Sequence, residues 1–122
     1  MRENLAPRGL LLFDVNTLVA YRSSFAETVV VERAGRRLVW RGQAAGDVEP
    51  GSICEAVIEE DRGPTKTHRH RQRHFADAEI RSVVERADLT LVDAYGLYTD
   101  GILRQPLDEG AHTKAVYIAE RE

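Results

Sequence analysis

The chain has 122 residues, 43% hydrophobic and 30% charged, which fits one globular domain and excludes collagen-like, low-complexity or disordered chains. Its formal net charge of -3 argues against general affinity for nucleic acid, and no apolar run approaches the ~20 residues of a membrane-spanning helix. Met1-Arg2-Glu3-Asn4 has no apolar signal-peptide core behind it, so the expected compartment is the cytoplasm.

Leu10-Leu11-Leu12-Phe13-Asp14-Val15 follows the turn Pro7-Arg8-Gly9 and is nearly continuous in apolar character, the pattern of a strand buried on both faces. Asn16 and Thr17 end it and are expected to cap a brief helix running to Ser23. Residues 25–33 are rich in β-branched side chains, turn at Ala34-Gly35 and resume as Arg37-Leu38-Val39-Trp40-Arg41, which reads as a hairpin. After a loop with Gly46, Pro50 and Gly51 come a strand over residues 53–59, a turn at Arg62-Gly63-Pro64 and an alternating strand over residues 65–75. These four strands make an antiparallel meander.

The pattern changes at Phe75. Asp77 is positioned to cap a helix whose apolar residues Ile80, Val83, Val84 and Ala87 fall at helical spacing. A strand over residues 89–95 follows, then an irregular stretch with Gly96, Gly101, Pro106 and Gly110, then a last strand over residues 114–119. Cys54 is the only cysteine, which rules out an intrachain disulfide; a small buried hydrophobe in a strand is its expected role.

His68, His70 and His74 share the parity that puts side chains on one face of a strand, and a His-x-His pair can hold zinc when a third ligand joins it. A polar solvent-facing strand explains the same pattern without metal, and no metal is expected. Arg69, Arg71 and Arg73 take the opposite face. There they could meet an anionic ligand or pair with Glu55, Glu59 and Glu60 of the preceding strand; ion pairing is the expected state of Arg69 and Arg71.

Leu5-Ala6-Pro7-Arg8-Gly9 running into Leu10-Leu11-Leu12-Phe13-Asp14 resembles the "L-x-P-G-G, then apolar strand" signature before the fifth strand of class I S-adenosylmethionine-dependent methyltransferases, with Arg8 in place of one glycine. Phe13-Asp14-Val15-Asn16-Thr17, Val39-Trp40 and His70-Arg71-Gln72-Arg73 running to Glu79-Ile80 are similar, in the same order, to a bacterial group of these enzymes with an antiparallel sheet inserted after that strand. The resemblance implies an α+β, partial α/β chain: three strands and a helix from the carboxy-terminal part of a Rossmann-like sheet (residues 5–17 and 75–122), with a four-stranded substrate-covering sheet inserted at 18–74. It implies a small-molecule methyl acceptor bound by Asn16, Tyr21, Trp40, His70 and Arg73, with His70 a weak candidate for proton transfer, since imidazole exchanges protons near neutral pH.

The cofactor in the full-length family is S-adenosylmethionine. The glycine-rich turn that would bring backbone amides to it is missing, since no G-x-G occurs in the sequence, and Gly46 to Gly51 has Ser52 where a phosphate-binding loop needs lysine. This chain alone is therefore expected to bind no cofactor and to be inactive, either as a methyltransferase half or as a non-catalytic small-molecule or protein-interaction module derived from one. Residues 10–15 are expected to form an unpaired apolar edge, through which the chain would self-associate or pair with a cofactor-binding chain. Arg2-Glu3-Asn4-Leu5-Ala6-Pro7 reads like the end of the helix before the fifth strand, which suggests that Met1 is a misassigned start or that the gene is a fragment.

Overall fold

The computed structural model describes residues 2–44, 47–61 and 65–122; the expected turn at Arg62-Gly63-Pro64 and Gly46 of the preceding loop lie outside the described residues. The elements run β1 (Leu10–Asn16), α1 (Leu18–Ser23), β2 (Thr28–Arg33), β3 (Arg36–Gly42), β4 (Ile53–Asp61), β5 (Lys66–Arg73), α2 (Asp77–Arg86), β6 (Thr90–Leu97), β7 (Leu103–Arg104) and β8 (Lys114–Glu120). The fold is α+β, with two four-stranded antiparallel sheets ordered β1-β8-β6-β7 and β2-β3-β4-β5. The chain divides into two compact units, residues up to Val19 with Phe75–Glu122, and Ala20–His74.

In the first unit β8 lies between β1 and β6 and is antiparallel to both. One face of this sheet carries Leu11, Phe13, Val15, Leu91, Ala115, Tyr117 and Ala119, which gather with Ile80, Val84 and Leu89 into one core. Tyr117 is its centre. Its ring is fully buried and stacks on Phe13 at 5.3 Å, and its hydroxyl donates to Asp77 at 2.9 Å. Burial, then the Asp77 carboxylate, pushes the Tyr117 hydroxyl pKa well above its usual value.

Two expectations are corrected here. β1 is buried on one face only: Leu10 and Leu12 are 62% and 67% exposed, because α2 packs on the other side and the apolar run alone did not reveal which face a helix would take. The N-cap of α2 is Ala76, without a side-chain bond; Asp77 is the first helical residue, and its backbone N–H donates to Glu109, thirty-two residues away. Ahead of α1 the buried Thr17 hydroxyl donates to the His112 carbonyl at 2.5 Å. The strand expected over residues 89–95 contains a bulge at Val92, which lets Leu91 and Ala94, of opposite parity, both pack on the core. His112 is itself buried over β6, and a Cβ on Gly96 would fall 1.8 Å from its ring, so only glycine fits beneath it.

In the second unit the meander is complete. Ala34 and Gly35 both take positive φ in the two-residue turn between β2 and β3, which matches the twist of a tight hairpin. β5 stops at Arg73, short of the expected Phe75, and His74 turns inward where its Nδ1 accepts the Gly51 N–H. Cys54 is buried in β4, and burial raises its thiol pKa.

Candidate functional site

Residues paired across neighbouring strands share a face, so register fixes what surrounds His70. The row through it runs Gly42, Ala56, His70, flanked by Val29, Trp40, Ile58, His68 on one side and by Cys54, Gln72 on the other. Gly42 and Ala56 add almost no bulk, leaving room above the sheet for large rings. Gly42 is required there, because a Cβ would sit 2.1 Å from the Phe25 carbonyl oxygen. That close approach is bonded through Gly42 N–H to Glu27 O and Ala44 N–H to Phe25 O, and it holds Phe25 against the sheet.

Aromatic rings then close over this face. Phe25 meets Tyr21 at 4.9 Å and Trp40 edge-on at 5.2 Å, and Trp40 meets His70 at 5.7 Å. The Trp40 indole N–H donates to the Ser24 carbonyl at 2.7 Å, fixing the ring. Gln72 links the two ends: its amide nitrogen lies 2.7 Å from His70 Nε2, and its oxygen accepts the Tyr21 hydroxyl at 3.2 Å. The result is a circuit of Tyr21, Phe25, Trp40, His70 and Gln72. Tyr21 and Phe25 are buried, while Trp40, His70 and Gln72 are half-buried.

The circuit constrains the chemistry of His70. With its oxygen on the Tyr21 side, Gln72 places its amide nitrogen on His70 Nε2, the arrangement in which the amide N–H is the donor of that pair. In that arrangement the remaining ring nitrogen of His70, Nδ1, is its N–H donor. The half-buried ring of Trp40 suits a flat apolar or cationic ligand, with Tyr21 and Phe25 buried behind it.

Four of the five residues singled out from the sequence therefore lie in this unit, and three of them, Tyr21, Trp40 and His70, belong to one circuit. Arg73 is exposed and takes the opposite parity of β5; its carbonyl, on the near side, accepts the Tyr21 hydroxyl. Asn16 ends β1 in the other unit, opposite Lys114. Gln72 and Phe25 were not singled out. Alternation with His70 was the available signal for Gln72, whereas Phe25 lies outside any strand and follows from no periodicity.

On the opposite face Arg69 and Arg71 both reach Glu55, at 3.1 and 3.3 Å, as expected, and Glu59 pairs instead with Arg41; Glu60, which by its register with Leu38 has the parity of the His70 face, pairs with Arg36. His68 is exposed, and no group of three or more histidine, cysteine or acidic residues able to hold a metal occurs among the described residues. The first unit has a depression of about 460 Å³ beside α2 and β6. Its polar groups are already matched: Asp77 to Tyr117 and Arg81, and Asp93 to Tyr95 and Gln105. Among the described residues no helix is long and apolar enough to cross a membrane.

No family model matches the chain, and neither does any curated protein. Among solved structures, it is similar to an S-adenosylmethionine-dependent methyltransferase from Clostridium acetobutylicum ATCC 824, with a TM-score of 0.69 and 13% identity. The likeness covers 98% of this chain and 47% of that one, so the chain spans about half the length of the protein it matches. At this identity the two share a fold.

Proposed function

We propose that these residues form the acceptor side of an S-adenosylmethionine-dependent methyltransferase acting on a small molecule. The observation that carries this reading is the fold likeness, which runs through nearly the whole chain. The sheet order supports it, since β1 lies beside β8, the neighbour relation of the fifth and last strands in the family the sequence resembles. The partial Rossmann-like core would be the first unit's sheet, and the inserted sheet would cover the acceptor with Tyr21, Trp40 and His70. Arg73 and Asn16 belong to the same reading as supporting residues at the ends of β5 and β1.

Methyl transfer needs the nucleophile, methyl group and sulfur in line, so positioning supplies most of what a protein must provide. Trp40 would hold the acceptor by its flat or cationic part, Tyr21 would support that ring and Gln72 from behind, and the His70 N–H would fix the acceptor's orientation. The cofactor side would come from residues beyond these 122, in the same polypeptide or a separate one. The exposed β1 edge, with Leu10 and Leu12, is the surface on which such a cofactor-binding part, or a second copy, would seat.

The test is a methyl-transfer assay on this chain combined with a part that carries the glycine-rich turn. Trp40→Ala and His70→Ala are expected to raise the KM for the acceptor about tenfold, the loss of roughly 1.4 kcal/mol of aromatic or hydrogen-bonding contact. Unchanged KM in both would remove this face from the acceptor site. A ligand that shifts the fluorescence of Trp40, the only tryptophan, with no transfer in any combination would favour the non-catalytic binding module.

A further inference from the structure

β2 is the end strand of the second unit's sheet, and every residue of Thr28–Arg33 is exposed. Val29, Val30 and Val31 are 40%, 48% and 49% exposed, an apolar run rarely left on an open edge. Which backbone groups face outward follows from the pairing. Gly42 N–H bonds to Glu27 O, so odd-numbered residues of this strand turn their backbone toward β3. Thr28, Val30 and Glu32 turn theirs away, presenting three N–H and three C=O groups on the outer edge.

This edge complements itself. If two copies pair antiparallel about a two-fold axis at Val30, Val30 meets Val30, Val29 meets Val31 and Thr28 meets Glu32. At each end Glu27 meets Arg33. All six outward backbone groups of each copy then find partners, because a two-fold axis on an outward-facing residue generates a hydrogen-bonded pair. Other registers fit worse: slipping by two residues sets Arg33 against Val29 or Phe25 of the second copy, and slipping further one way sets Glu32 against Glu32. Only the Val30-centred register gives each strand-end charge an opposite charge and joins the valines.

We propose that β2 is a homodimer interface, joining two meanders into one eight-stranded sheet through the Val30-centred register. The inference goes beyond the proposed function and does not depend on it. Glu27, Glu32 and Arg33 could instead be charges that discourage edge pairing, and the two roles predict opposite responses to charge reversal.

Sedimentation equilibrium on the full chain at high micromolar concentration separates them. The wild-type chain is expected to be a dimer. Arg33→Glu alone should abolish dimerisation by setting two acidic residues opposite each other, and adding Glu27→Arg should restore it. Val30→Pro should also give a monomer while leaving the hairpin intact by circular dichroism, because the N–H it removes points away from β3. A monomeric wild type, a double variant no more dimeric than Arg33→Glu, or a dimer indifferent to Val30→Pro would each overturn the proposal.

Discussion

The two units bury their sheets in different ways. In the first, a ten-residue helix lays Ile80 and Val84 over a sheet face whose central residue, Tyr117, is fully buried. In the second, the buried strand positions on the circuit's face are small, Cys54 and Ala56, and rings from outside the sheet cover them. The helix-covered face is closed and structural. The ring-covered face keeps Trp40, His70 and Gln72 half-exposed, which is what a ligand surface needs: fixed rings with polar groups still within reach of solvent.

The contrast predicts a ranking of effects. Tyr117→Ala should be the most damaging, costing the first unit about 3–5 kcal/mol through the cavity it leaves, read by faster amide exchange along β8. An effect below about 1 kcal/mol would mean that this core is not centred on Tyr117. Gly42→Ala should cost about 1–3 kcal/mol in the second unit, because its methyl group meets a backbone carbonyl that cannot move aside. It should also shift Trp40 emission, since Ser24, which anchors the indole, precedes Phe25 directly.

The third effect is confined to high pH. Tyr117 has its pKa raised in the folded state above the ~10 of an unfolded tyrosine, so its contribution is complete below pH ~10 and is lost as pH climbs toward the raised value. Of the four tyrosines, Tyr117 should ionise only as the first unit unfolds, a late step in an absorbance titration that Tyr117→Phe removes. A smooth titration of all four near pH 10 would contradict its burial.

Much of the architecture was legible because it rests on local patterns. The β-branched runs and the Ala34-Gly35 turn marked the meander, and Ile80, Val83, Val84 and Ala87 marked α2 within one residue of its end. What failed depends on distant partners. Asp77 was expected to cap α2, but it is the first helical residue and its own amide is met from outside the helix by Glu109, while the open face of β1 depends on which side α2 takes. Within the candidate site, alternation put His70 on its face and the charge pattern matched Arg69 and Arg71 to Glu55. The Gln72 bridge from His70 to Tyr21 spans fifty-one residues, so no spacing could announce it.

The most direct test of the acceptor-side reading is a calorimetric titration of S-adenosylmethionine into the 122-residue chain, alone and combined with a part that carries the glycine-rich turn. The expected result is no measurable heat of binding alone and saturable binding in combination. Micromolar binding by the 122 residues alone would place a cofactor site within them and contradict the reading.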